Sequence, residues 1–153
     1  MSKSRRWQHG DPASRVLLML AFAVMGGTAH AACPPQDSDG TVIRNGDLLL
    51  AYRPLLKIES GAAAQGIPMA RHFAMEVQLC GKDGVSTAQL TGVDASMPAH
   101  KHGMNYRPTI RPLGNGRFHV DGMMLHMSGQ WEFAFEVRAG KDLMRLSHDV
   151  RAD

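Results

Sequence analysis

The sequence predicts an all-β fold, an immunoglobulin-like β-sandwich of about seven antiparallel strands, and three observations predict it. Apolar residues alternate with polar ones at a period of two in several short segments, the mark of half-buried strands. Turn formers, 16 Gly and 8 Pro in 153 residues, separate those segments at short intervals. Many short strands with frequent turns belong to a sandwich rather than to a helical or mixed fold.

The elements follow in order behind a leader. Lys3, Arg5, Arg6 and Arg15 precede an apolar run over residues 16–25, and Ala29-His30-Ala31 then fits a small-residue cleavage site. That order is a signal peptide over residues 1–31, and the run falls short of the roughly 20 apolar residues a membrane span needs. One domain over residues 32–153 is left, large enough for a single core. The leader holds four of the 17 basic and one of the 14 acidic residues, so 13 of each remain. No basic footprint for nucleic acid survives that cut.

Residues 47–52 form an apolar run stopped by Pro54. In His72 to Cys80, Phe73, Met75, Val77 and Leu79 fall on one side, and Ala74, Glu76 and Gln78 on the other. Gly81-Lys-Asp-Gly84 is a turn, residues 85–93 a weaker strand, and residues 107–112 a strand with proline at its end, suited to a sheet edge. After Gly114-Asn-Gly116, Phe118 and Val120 face inward. Trp131, Phe133, Phe135 and Val137 then share one face, and residues 143–150 close the chain. Gly61-Ala-Ala-Ala is read as a loop.

Export bears on the two cysteines, Cys33 and Cys80. In an oxidising compartment the pair is expected as a disulfide stapling the N-terminus onto a strand. The alternative, two soft metal ligands, is disfavoured because Pro34-Pro35 follows Cys33 and neither cysteine lies in a C-x-x-C unit.

Chemistry concentrates in MPAHKHGMNYRP, residues 97–108. It lacks apolar periodicity and holds Pro98, Gly103 and Pro108, so it is expected as a loop between strands, where a rigid scaffold presents binding groups. His100 and His102 supply imidazoles that point the same way if the loop is extended, and Met97 or Met104 adds a thioether. Neutral nitrogen and sulfur donors suit copper(I). Calcium and magnesium require oxygen, and no carboxylate lies between Ser96 and Val120. A second cluster, Met123-Met-Leu-His-Met127, is expected near the same end. Strand alternation there places Met123, Leu125 and Met127 on one face and Met124 and His126 on the other, unless a glycine bulge shifts the phase. For Met75, Met123 and Met144 core packing is the expectation, and for the isolated His72, His119 and His148 it is a surface or hydrogen-bonded role. No nucleophile elbow, phosphate loop or H-E-x-x-H pattern is present, so the chain is not expected to be an enzyme.

Met97-Pro98 with His100, His102, Gly103 and Met104, then Gly114, Gly116 and Phe118, then Met127, Gly129 and Trp131, together resemble the YtkA-like family of exported bacterial domains. The resemblance implies an immunoglobulin-like sandwich, related in style to CopC-like and PCuAC-type periplasmic copper proteins and similar to the periplasmic part of FixH. The expected protein is periplasmic or secreted and binds or delivers copper, as Cu(I). Its ligands are His100 and His102 with the thioethers of Met104 and Met127, and Met97 and His126 are outer candidates. Expected partners are the copper ion and an envelope protein such as an oxidase assembly factor. The alternative is a non-metal accessory domain that docks through the same loop and exposed methionines, an adaptable surface for protein binding.

Overall fold

A computed structural model describes Cys33 and residues 40–56, 67 and 69–153. The leader and the Gly61-Ala-Ala-Ala stretch lie outside the described residues. Ten strands follow in chain order: β1 Thr41–Asn45, β2 Leu48–Leu55, β3 Phe73–Gly81, β4 Gly84–Val85, β5 Gln89–Met97, β6 His102–Gly103, β7 Thr109–Gly114, β8 Arg117–Met123, β9 Gly129–Ala139 and β10 Asp142–Ala152. Two of these, β4 and β6, are two-residue pieces, so eight strands of ordinary length stand where about seven were expected.

The strands form two antiparallel sheets. One runs β1-β2-β3-β8-β7, with β4 paired to β3, and the other runs β10-β9-β5-β6. This is the expected all-β sandwich. Strand β9 builds most of the inner layer: Trp131, Phe133, Phe135 and Val137 are all fully buried, as the alternation required. Each such side chain contributes about 1.5–3 kcal/mol by leaving water. Facing them, Met75, Val77 and Leu79 of β3 and Val120 of β8 are equally enclosed.

Three details depart from the sequence reading. Strand β2 continues through Pro54 to Leu55, because β1 pairs with β2 only as far as Tyr52 and the proline therefore has a free flank where its missing donor is not needed. The run over residues 85–93 splits: β4 ends at Val85, and β5 begins at Gln89 and continues to Met97, with a register shift between Leu90 and Gly92. Strand β1 was not anticipated, since TVIRN carries too few buried residues to show a period.

Cys33 and Cys80 form a disulfide, with Cα atoms 5.6 Å apart. Beside it the Gln78 Nε2 group donates to Cys33 Sγ at 3.2 Å. The expected staple thus lies on the outer face of β3, where Gln78 and Cys80 are buried beside it.

Candidate metal centre

At one end of the sandwich β5 and β8 finish and β3 and β9 begin. The segment MPAHKHGM turns there as a tight hairpin rather than an open loop. Met97 ends β5, residues Pro98–His100 make one 3-10 turn, and β6 pairs back so that Met97 lies opposite His102 and Ser96 opposite Gly103. Lys101 takes a left-handed conformation (φ 53°) at the corner, and its N–H closes the turn on the Pro98 carbonyl. The spacing His-x-His therefore works through a turned backbone, not the extended one expected. The rings of His100 and His102 nonetheless lie nearly parallel, with centroids 6.5 Å apart.

The second cluster closes over this hairpin. The Met104 N–H donates to the Ala95 carbonyl at 2.8 Å, and the Met104 sulfur accepts the Met124 N–H at 3.4 Å. That cross-link brings the segment between β8 and β9 to the hairpin, and His126 comes to stand 6.2 Å from His102 in a T-shaped arrangement. Beyond it, the His126 ring meets Trp131, with centroids 5.4 Å apart. Three imidazoles thus stand in a row, His100, His102 and His126, with the exposed Met127 adjoining the last.

An imidazole nitrogen sits about 2.0–2.1 Å from a bound transition ion, so two rings sharing one ion have centroids roughly 5–6.5 Å apart. The two separations, 6.5 and 6.2 Å, fall at the upper end of that range. Among the described residues, no group of three or more His, Cys, Asp or Glu is gathered closely enough to hold a metal ion.

One atom in the row is anomalous. His126 Nδ1 is buried with no hydrogen-bond partner, the sole such side-chain nitrogen or oxygen among the described residues. Leaving a buried polar atom unpaired costs about 1–3 kcal/mol, so such an atom calls for an explanation.

The methionines separate into different roles. Met97 is in the core at 4 % exposure, and its methyl group stands 2.7 Å from where a Cβ on Gly129 would lie. Met104 is packed against the core, with its sulfur engaged by the Met124 amide. Met127 is 36 % exposed. The expectation that Met123, Leu125 and Met127 share a face fails at the last residue. Met123 and Leu125 are fully buried, but the chain bends at Met127-Ser128, just before Gly129 opens β9 with φ 127°. Met127 is thus left exposed rather than in the core.

Two other histidines have aromatic partners of their own. His148 bonds Tyr52, and His72 packs on Tyr106 with centroids 5.3 Å apart. Met75 and Met123 are fully buried in the core and Met144 packs against it, as expected. Sequence reasoning assigned Trp131 to the core alone. Its indole N–H also donates to the Met127 carbonyl at 3.0 Å. The available signal was chemical, since a buried indole needs an acceptor and Met127 lies four residues away.

Fold and site together define a two-sheet β-sandwich with a His/Met hairpin at one end. No family model matches the chain, and no curated protein sequence matches it either. Among solved structures, a DUF4426 family protein from Pseudomonas aeruginosa PAO1 aligns at 16 % identity, covering 72 % of this chain and 94 % of its own, with a TM-score of 0.50. At that identity the likeness is one of fold. FetP of uropathogenic E. coli strain F11 aligns at 8 % identity over 74 % of this chain and 93 % of its own, with a TM-score of 0.47. A copper-bound variant of FetP gives 9 %, 74 %, 94 % and 0.47. Among the described residues no helix is long and apolar enough to cross a membrane.

Proposed function

We propose that the chain is a non-catalytic, periplasmic copper-binding or copper-delivery protein that holds Cu(I) at the sandwich end. His102 and His126 supply the imidazole pair, Met127 the thioether, and His100 and Met104 stand next in reach. The observation that carries this reading is the buried Nδ1 of His126, which has no hydrogen-bond partner among the protein's groups, in a ring 6.2 Å from that of His102. Neutral imidazole and thioether donors favour copper(I) over zinc, calcium or magnesium. The disulfide supports an oxidising compartment, and the resemblance to YtkA-like domains points the same way.

The test is a titration of the disulfide-bonded protein with copper(I) against a competing chelator, repeated on a His100→Ala, His102→Ala double variant. Strong binding that the double variant loses is the expected result. Unchanged affinity in the double variant ends the assignment.

A second reading has its own observation. Met69, Tyr106 and Met127 are exposed large apolar side chains, and Met69 pairs with Leu125, immediately before His126. An accessory domain docking an envelope partner through that end would use the same surface. Protein recovered from a copper-supplemented periplasm without copper, but cross-linked to such a partner, favours it.

A further inference from the structure

Trp131 is tied to two of the proposed ligands at once. It is fully buried, and a buried indole N–H seeks an acceptor. The acceptor is the Met127 carbonyl, 3.0 Å away in the bend between β8 and β9. The same indole packs edge-on against the His126 ring at 5.4 Å and 79°. The other aromatic side chains of β9, Phe133 and Phe135, have their ring contacts with each other and with Tyr52 and Phe73, and none with His126. Trp131 is therefore the core residue of β9 that braces the His126-Met127 corner.

The bend needs that brace. Gly129 lets the backbone turn through φ 127° with the Met97 methyl group against it, and Met127 and Ser128 are exposed. A corner of exposed residues with no brace would sample several backbone and ring orientations, and ordering it on binding would weaken affinity. Groups that orient metal ligands from behind usually carry about 10- to 100-fold of the affinity.

We propose that Trp131 is a positioning residue for the copper site: its indole N–H fixes the backbone that presents Met127, and its ring sets the orientation of His126. This rests on the copper reading. It adds that the affinity of the site is set in part from the buried core.

The test is Trp131→Phe, which keeps an aromatic ring against His126 and removes the donor. Phe135→Leu serves as a control that lowers the melting temperature from the same core without touching the corner. The expected result is copper(I) affinity weaker by about 10- to 100-fold in Trp131→Phe, with Phe135→Leu binding like the unaltered protein. A second measurement uses the unaltered protein alone: the Trp131 indole N–H resonance shifts in proportion to copper(I) added, up to one equivalent. Unaltered affinity in Trp131→Phe, or an indole resonance that does not move in a protein that binds copper, overturns the positioning role and leaves the copper reading standing. An unaltered protein that takes up no copper removes both.

Discussion

Tyr52 of β2 and His148 of β10 join the two sheets across their open edge, the phenol oxygen lying 2.8 Å from the imidazole Nδ1. The Tyr52 ring also packs on Phe133 and Phe135, so the pair closes the core on the side away from the hairpin. Burial raises the Tyr52 phenol above its ordinary value of 10.0, with a hydrogen bond to Thr41 acting in the opposite sense. The folded protein thus holds this proton more tightly than the unfolded chain. Its contribution to stability is fully present below pH 10 and falls as pH rises above 10 toward the higher folded value. Thermal melts across that window should show an alkaline loss that is shallower in Tyr52→Phe. At neutral pH the same substitution should cost about 1–3 kcal/mol, the usual net value of two hydrogen bonds.

The disulfide between Cys33 and Cys80 closes a sequence separation of 47. Chain-entropy reasoning assigns such a loop about 4 kcal/mol, a large part of a small domain's margin of roughly 5–15 kcal/mol. Protein from an oxidising compartment should show no free thiol until reduced, and reduction should lower the melting temperature by several degrees or more. Copper binding should survive reduction in protein kept folded, because both cysteines lie on β3's outer face, away from the histidine row. Loss of copper in folded Cys80→Ser protein would instead bring the cysteines into the site.

The two methionines flanking the site should behave in opposite ways. Met97 is buried, so Met97→Ala should cost about 2–5 kcal/mol and leave copper affinity unchanged at temperatures where the variant stays folded. Met127 is at the surface, so Met127→Ala should move stability by no more than about 0.5 kcal/mol and weaken copper binding. Denaturant melts and chelator competition on the two variants read both quantities. Equal affinity losses would mean that Met97 leaves the core to bind.

How much of this was legible in the sequence depended on whether local pattern or long-range packing decided the outcome. The inner face of β9, Trp131, Phe133, Phe135 and Val137, was fully readable, because strand alternation alone sorts a sheet's two faces. So was the placement of Phe118 and Val120, and of Met75. Strand β1 was hidden because its five residues are at most half-buried. At the candidate site, the residue types were legible and the geometry was not. The turn at Lys101 depends on a left-handed backbone that no periodicity announces. Gly129 signalled only that the phase could change, and the exposure of Met127 depends on the bend that precedes that glycine. The approach of His126 to His102 needs the Met104-Met124 link between distant segments, which spacing along the chain does not encode. The unpaired nitrogen of His126 could be seen only once its surroundings were known.

The central claim is that imidazole and thioether together hold copper(I) at the hairpin end. X-ray absorption at the copper edge, on disulfide-bonded protein loaded with one equivalent of copper(I), tests it most directly. Two or three imidazole nitrogens at about 2.0–2.1 Å together with a sulfur scatterer are expected, the sulfur vanishing in Met127→Ala and one imidazole vanishing in His126→Ala. A first shell of oxygen alone, or a spectrum unchanged in both variants, would contradict it.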